Sequence, residues 1–385
     1  MPRPASADPG GRRRRGAARA ALLIPLALLV GVLALKALDP GPLASLRLAV
    51  FDGYQRLRPR PYTAAPVRIV AIDDASLAAE GQWPWPRDRL AVLVETLAQA
   101  GAATVVFDMV FAEPDRTSPA LMADEIAQAL PETLHPALAA AVLPDHDRRF
   151  AEAIGAVPVV LGFALGRGPS AATLPERWSF AFAGSDPTPR LHGFAGAVTA
   201  LGALQASASG EGAMNAVPDS DGVVRRLPLL FRLGDRIVPA LAAEALRVAQ
   251  GAGTYVVKSA GASGVESLGA DSGVAAVKIG AAEVDTDPAS AVWLWSTGPR
   301  RERFLSAAAV LAGDFDPTLV AGHIVLIGAT AAGLADLRAS PLDPAGPGVE
   351  LHAQLIEQVI AGIALNRPDW AAGANSPSSP SSACD

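Results

Sequence analysis

The chain holds one cysteine, little lysine and few aromatic side chains, and beyond residue 38 it has no long hydrophobic run. The single cysteine is Cys384, one residue from the C-terminus. An intrachain disulfide and a cysteine-based metal site are therefore excluded, and so is a lipid-modified cysteine just after the N-terminal apolar stretch. There is no Gly-x-Ser-x-Gly, no His-Glu-x-x-His and no cysteine nucleophile, so the common signatures of serine, zinc and cysteine hydrolases are missing. Without a second apolar run, nothing returns the chain across a membrane once it has crossed.

The formal net charge is −6, from 32 basic and 38 acidic residues. Six arginines, Arg3, Arg12, Arg13, Arg14, Arg15 and Arg19, precede Ala20 against one acid, Asp8, so the remainder is more acidic than the total suggests. Nucleic acid is a poor partner for such a body, because its binding is driven largely by phosphate neutralisation. Half of the 385 residues are hydrophobic, enough for a sizeable core.

The basic cluster belongs to the apolar segment that follows it. Residues 20–38, AALLIPLALLVGVLALKAL, approach the ~20 residues needed to span a bilayer, with Lys36 near enough to the end to snorkel. A basic start followed by an apolar run also fits a cleaved signal peptide. The length of the run, and the lack of a small-x-small site before Asp39, favour an uncleaved anchor. In either case the arginines stay cytoplasmic and the body is exported. The expectation is a single-pass protein of the bacterial inner (cell) membrane with an extracytoplasmic domain over residues 43–368, a basic tail over 1–19 and a low-complexity, disordered tail over 371–385.

Within the body, residues 43–58 read as an amphipathic helix ended by the Pro59–Arg60–Pro61 run. Residues 67–72 and 104–107 read as buried strands around a helix near 87–100, a β-α-β unit that implies two adjacent parallel strands. Residues 116–146 read as an insertion, 147–154 as a helix and 157–163 as a strand, while 166–212 is weakly patterned. Further strands are expected near 292–295 and 324–327, and helices over 239–248 and 352–361. The fold class is α/β: a transmembrane helix, then a mostly parallel sheet with helices packed on it.

Three motifs stand out. The first combines AIDDASL (71–77), GQWPWPR (81–87) and VVFDMVFAEPD (105–115); the second is NAVPDSDGVVRR (215–226); the third is LIGATAAGLADLRASPLDPAGPGVELHAQLI (326–356). In this order they resemble the type-2 CHASE domain, the exported sensory domain of bacterial adenylate cyclases, histidine kinases and related receptors. The resemblance implies a sensor rather than an enzyme, a homodimer, and an output cyclase or kinase. It also implies further membrane spans after residue 370, where this sequence instead runs into AGANSPSSPSSACD. The expectation is accordingly a receptor's input half, either a truncated cyclase or kinase gene product or a sensor served by a separate output protein.

Open α/β sheets bind ligands beyond the carboxyl ends of their strands. Asp73 and Asp108 stand at two such ends, and Trp85 and Arg87 lie in the loop between them. With Arg225, Asp336 and His352 from the other motifs, they are the candidate contacts for an unidentified small molecule or envelope signal. Each has a plainer reading: Trp85 as packing, the aspartates as helix caps or arginine partners, His352 as a hydrogen-bonded scaffold. Asp219–Ser220–Asp221–Gly222 is read as a turn, since the remaining calcium-loop ligands are missing. GATAAG at 328–333 has neither GxGxxG spacing nor a Walker lysine, so a tight turn is expected there. No metal, cofactor or catalytic residue is assigned. An anchored hydrolase using Asp73, Asp108 and Asp336 around a metal is the alternative of another class.

Overall fold

The computed structural model describes residues 29–31, 41–123, 143–170, 173–175, 177–259, 261–262, 273–334 and 336–365. Most of the expected membrane segment (20–38), most of the insertion and the tail after 370 lie outside them. Among the described residues, no helix is long and apolar enough to cross a membrane.

Helix α1 (Gly41–Leu57) opens the body. Strand β1 (Val67–Ile72) follows, then α2 (Asp74–Glu80), α3 (Arg87–Gln99) and β2 (Thr104–Phe107). Next come α4 (His146–Gly155), β3 (Val159–Gly166), β4 (Ser179–Ala183), β5 (Gly193–Phe194), β6 (Gly196–Val198), α5 (Gly202–Ser207) and β7 (Gly210–Ala213). Strands β8 (Arg226–Pro228), β9 (Leu230–Leu233) and β10 (Arg236–Pro239) lead to α6 (Leu241–Ala249). Strands β11 (Thr254–Ser259), β12 (Val274–Ile279), β13 (Ala282–Asp285), β14 (Ala291–Trp293) and β15 (Phe304–Ser306) precede α7 (Ala307–Ala312). The chain closes with β16 (Ile324–Ala329), β17 (Leu337–Arg338), β18 (Gly346–Pro347) and α8 (Gly348–Ile360).

The fold is mixed α/β, with parallel and antiparallel pairings both present. The principal sheet runs β15-β1-β16-β2-β3, with β7 parallel and β6 antiparallel against β3. Its pairings from β15 to β3 are all parallel. The smaller sheets are mainly antiparallel, the longest being β13-β12-β11-β4. The expected adjacency of β1 and β2 is corrected: β16 lies between them, its Leu326 level with Ile69 on one side and Val106 on the other. The first and third sequence motifs are therefore interleaved in one sheet. A run as apolar as Ile-Val-Leu-Ile suits the most buried position, and all four side chains are enclosed.

Period-two alternation splits these strands between two cores. Val67, Ile69, Val106, Ile324 and Leu326 face α6 and α8. Val70, Ile72, Val105, Phe107, Val325 and Ile327 face α3, α4 and α7. Two glycines set how closely the helices approach. A Cβ on Gly328 would lie 2.7 Å from the Val349 Cβ, at the start of α8, and one on Gly212 would lie 2.5 Å from the Leu241 backbone in α6. Gly328 thus serves helix packing more than the turn after it.

Candidate functional site

The carboxyl ends of β1, β16 and β2 lie side by side, because Ile72 is level with Ala329 and Phe107 with Ile327. Asp73, Thr330 and Asp108 leave the sheet along this edge. Asp73 is taken up as the N-cap of α2: its Oδ1 accepts from Ser76 N at 2.8 Å, Ser76 Oγ at 2.6 Å and Ser306 Oγ at 2.9 Å. Asp74 reaches across to the third motif, accepting from the Ala332 backbone at 3.1 Å.

Asp108 is differently placed. Among the described residues no hydrogen bond reaches its carboxylate, while His352, Asp336 and Arg338 act on it electrostatically. Burial pushes its carboxyl above the usual range; His352 pulls it back, Asp336 adds to the rise and Arg338 opposes it. His352 comes from the first turns of α8 and is 4% exposed. Its Nε2 lies 3.3 Å from the Met214 carbonyl, which can only accept, so Nε2 carries the proton. Nδ1 is buried with no hydrogen-bond partner in the protein. Buried polar atoms are nearly always satisfied, and an exception calls for a specific explanation. At the open rim, Arg338 Nη2 pairs with Asp336 Oδ2 at 2.8 Å, and the Asp336 carbonyl accepts from Gly348 N at the start of α8.

A raised carboxyl in the folded state means that ionisation subtracts from stability as pH climbs through that raised value. Asp108→Asn, which cannot ionise, is expected to exceed the parent in stability by on the order of 1 kcal/mol near pH 8 and to lose that advantage near pH 4. Urea unfolding at the two pH values checks this. A residue that costs stability where it stands is characteristic of a functional position.

The other candidates lie elsewhere. Trp85 is 1% exposed within the α3-side core, donating from Nε1 to the Gly81 carbonyl at 3.0 Å and meeting Trp83 edge-on. Arg87 heads α3, stacks 4.4 Å over Phe111 and pairs with Asp147, while its backbone N–H donates to Asp115 Oδ2 at 2.6 Å. Burial lowers its pKa, against Asp147 and Asp115. These two hold the loop after β2 against α3 and α4.

Arg225 anchors the second motif. It grips Asp52 of α1 with two bonds, Nε to Oδ1 at 2.7 Å and Nη2 to Oδ2 at 2.8 Å, and also binds Asp219 and Asp221. Its pKa rises, first through Asp52, and Asp221 is held at about 2 by its hydrogen bonds to Arg225. The expected turn is present, with Gly222 at φ +83°, and its acids serve Arg225. Val224 N donates to the Ala339 carbonyl at 2.7 Å, which joins the second motif to the third.

A second buried polar system was not foreseen. Arg303, fully buried, donates Nε to Glu357 Oε1 at 2.6 Å and Nη2 to Thr297 Oγ1 at 2.8 Å, and also pairs with Glu350. Arg60, just past α1, donates to Glu357 Oε2 at 2.8 Å. Gln55 of α1 bonds the backbone of Leu294 and Ser296, and Gln354 of α8 bonds Ser296 and Thr297. Helices α1 and α8 are thereby bolted to the same segment, residues 294–297. The only sequence signal was polar residues at i, i+4 and i+7 (Glu350, Gln354, Glu357) on a helix otherwise apolar, a pattern that ordinarily marks a solvated face.

Two spaces adjoin these elements. One of about 10 Å³, room for a single water, lies between Arg338, Ser340, Asp343 and Glu350. An apolar groove of about 470 Å³ lies at the opposite edge of the sheet, between Pro66, Ala103, Ile324, Leu246 and Val359. The hydrolase alternative needs three carboxylates around one metal. Among the described residues, no group of three His, Cys, Asp or Glu side chains is placed to hold one, and Asp73 is spent on its cap.

No curated protein and no solved structure matches the chain. The model of the CHASE2 domain matches residues 24–379, a span that contains all three motifs, the Asp108–His352 edge and both arginine clamps. The chain belongs to the CHASE2 domain family, a family of sensory domains in signalling receptors.

Proposed function

We propose that the chain is the extracytoplasmic input domain of a membrane-anchored bacterial receptor, which takes a small polar signal between Asp108 and His352 and passes it to its membrane-side helix. The observation that carries this reading is the double duty of α8. Near its start, α8 presents the unpartnered His352 Nδ1 towards the strand-end carboxylate. Farther along, Glu357 holds Arg60, at the exit of α1. A ligand that satisfies Nδ1 stabilises one setting of α8 over another, and only such a differential contact shifts a conformational equilibrium. The expected homodimer and a cyclase or kinase output, fused or separate, belong to the same proposal.

The test joins residues 1–368 to membrane spans and a cyclase output and challenges the chimera with envelope extracts and stresses. The expected result is a cyclase response that His352→Gln and Asp108→Asn abolish and that His323→Gln, at an exposed position, leaves intact. A cyclase that answers to no extract or stress, or a response indifferent to His352→Gln, overturns the reading.

A further inference from the structure

Helix α1 has two faces of opposite character. Asp52 and Gln55 are buried and bonded to the body, and the Phe51 ring meets Trp293 at 4.9 Å. The reverse face carries Leu46, Val50, Tyr54 and Leu57, exposed by 60%, 50%, 69% and 79%. At 3.6 residues per turn these four fall within an arc of about 80°. Gly53 lies in the same arc, and a Cβ built there meets nothing within 4 Å. No other element among the described residues exposes four large apolar side chains. The Arg225 clamp keeps this face turned outward.

We infer that the outward face of α1 is a membrane-docking surface for an anionic lipid bilayer. An apolar stripe with a tyrosine, rimmed by arginines, is the make-up of a helix lying in the headgroup region. Arg47 and Arg58 flank the stripe on one side and Arg56 on the other, all exposed. The only acid in residues 41–58 is Asp52, already held by Arg225. The rim is thus uniformly cationic, which suits phosphate headgroups. It opposes a second copy, since pairing the same faces would set arginines beside arginines. Only Asp39 and Pro40 separate α1 from residues 20–38, so the helix starts where a span of that sequence would leave the bilayer. For this orientation, though not for lipid binding itself, the inference rests on the anchored reading.

The experiment uses the full chain with Cys384→Ser, carrying one nitroxide at Val50→Cys, Leu57→Cys or, as control, Ala312→Cys on exposed α7. Each is reconstituted in phosphatidylcholine vesicles with or without phosphatidylglycerol. The expected result at positions 50 and 57 is oxygen collision exceeding that of a water-soluble nickel chelate, with nickel access several-fold below the control and lower still with phosphatidylglycerol. Arg58→Glu should raise nickel access at position 57. Nickel access equal to the control, in protein retained on vesicles after a carbonate wash, overturns the docking and leaves the anchor standing. Dipolar broadening between copies overturns it in favour of a dimer face. A lipid signal from protein that the carbonate wash removes upholds the docking and sinks the anchor; protein that never associates with vesicles sinks both.

Discussion

Replacing Arg303 with methionine is expected to cost about 3–5 kcal/mol of unfolding free energy, the range for leaving a buried charge without its partner. Arg303 is wholly enclosed and is bonded to both Glu350 and Glu357. Methionine fills much of the volume but leaves Glu350 with only burial acting strongly on it. Glu350 already sits above its ordinary pKa through burial, with Arg303 the main force pulling it down. Removing that force raises it further, so the folded mutant binds more protons than the unfolded chain and gains stability as pH falls. The penalty is therefore expected to be largest near pH 8 and to shrink towards pH 5. Glu350→Gln in the Arg303→Met background should recover part of the loss at high pH and little at low pH. Guanidinium unfolding at both pH values decides this; a pH-independent penalty would mean lost packing, not an uncompensated charge.

That network also marks where the sequence stopped being readable. Residues 67–72, 104–107 and 324–327 were recognisable as buried strands because their side chains are almost all apolar. Their order was not. Strands buried on both faces carry no alternation to distinguish neighbours, and chain order favoured β1 beside β2, whereas the last strand of the sheet enters between them. Strand β7, Gly-Glu-Gly-Ala, was invisible for a different reason. Glycine has low strand propensity, and its use here is decided by α6: a Cβ on Gly210 would lie 2.2 Å from Glu244 Oε1. The candidate site was legible in part, since Asp108 and His352 were named from motifs far apart and the fold brings them within electrostatic reach. Their companions Asp73, Trp85 and Arg87 carry equally strong sequence signals but are occupied by a cap, a core and an ion pair. Residue type and spacing could not separate these cases, because what separates them is whether each polar atom finds a partner in the protein.

Freeing α1 from the body is expected to follow from the single change Asp52→Asn. The replacement keeps the shape but turns two charge-assisted hydrogen bonds into neutral ones, while Arg225 retains Asp219 and Asp221. Hydrogen bonds to charged groups contribute about 1.5–3 kcal/mol, and each 1.4 kcal/mol is about tenfold in an equilibrium. Amide protection over residues 53–57, which reports local opening, should therefore fall by at least about tenfold, with the protection of β1 and β16 unchanged. Protection of α1 should also depend on acid in a defined window. Asp221 is depressed to about 2 by Arg225, so its contribution is complete above the unfolded carboxylate value near 3.9 and is lost as pH falls towards 2. At 43% exposure that contribution is screened by solvent, and the parent should lose little of its α1 protection in this range. In Asp52→Asn the clamp depends on Asp219 and Asp221 alone, so the same acid window should open α1 much further. If exchange over 53–57 is the same in both proteins at neutral and acid pH, α1 is held by Phe51 and Gln55 instead, and Arg225 is not the joint through which a signal reaches the membrane-side helix.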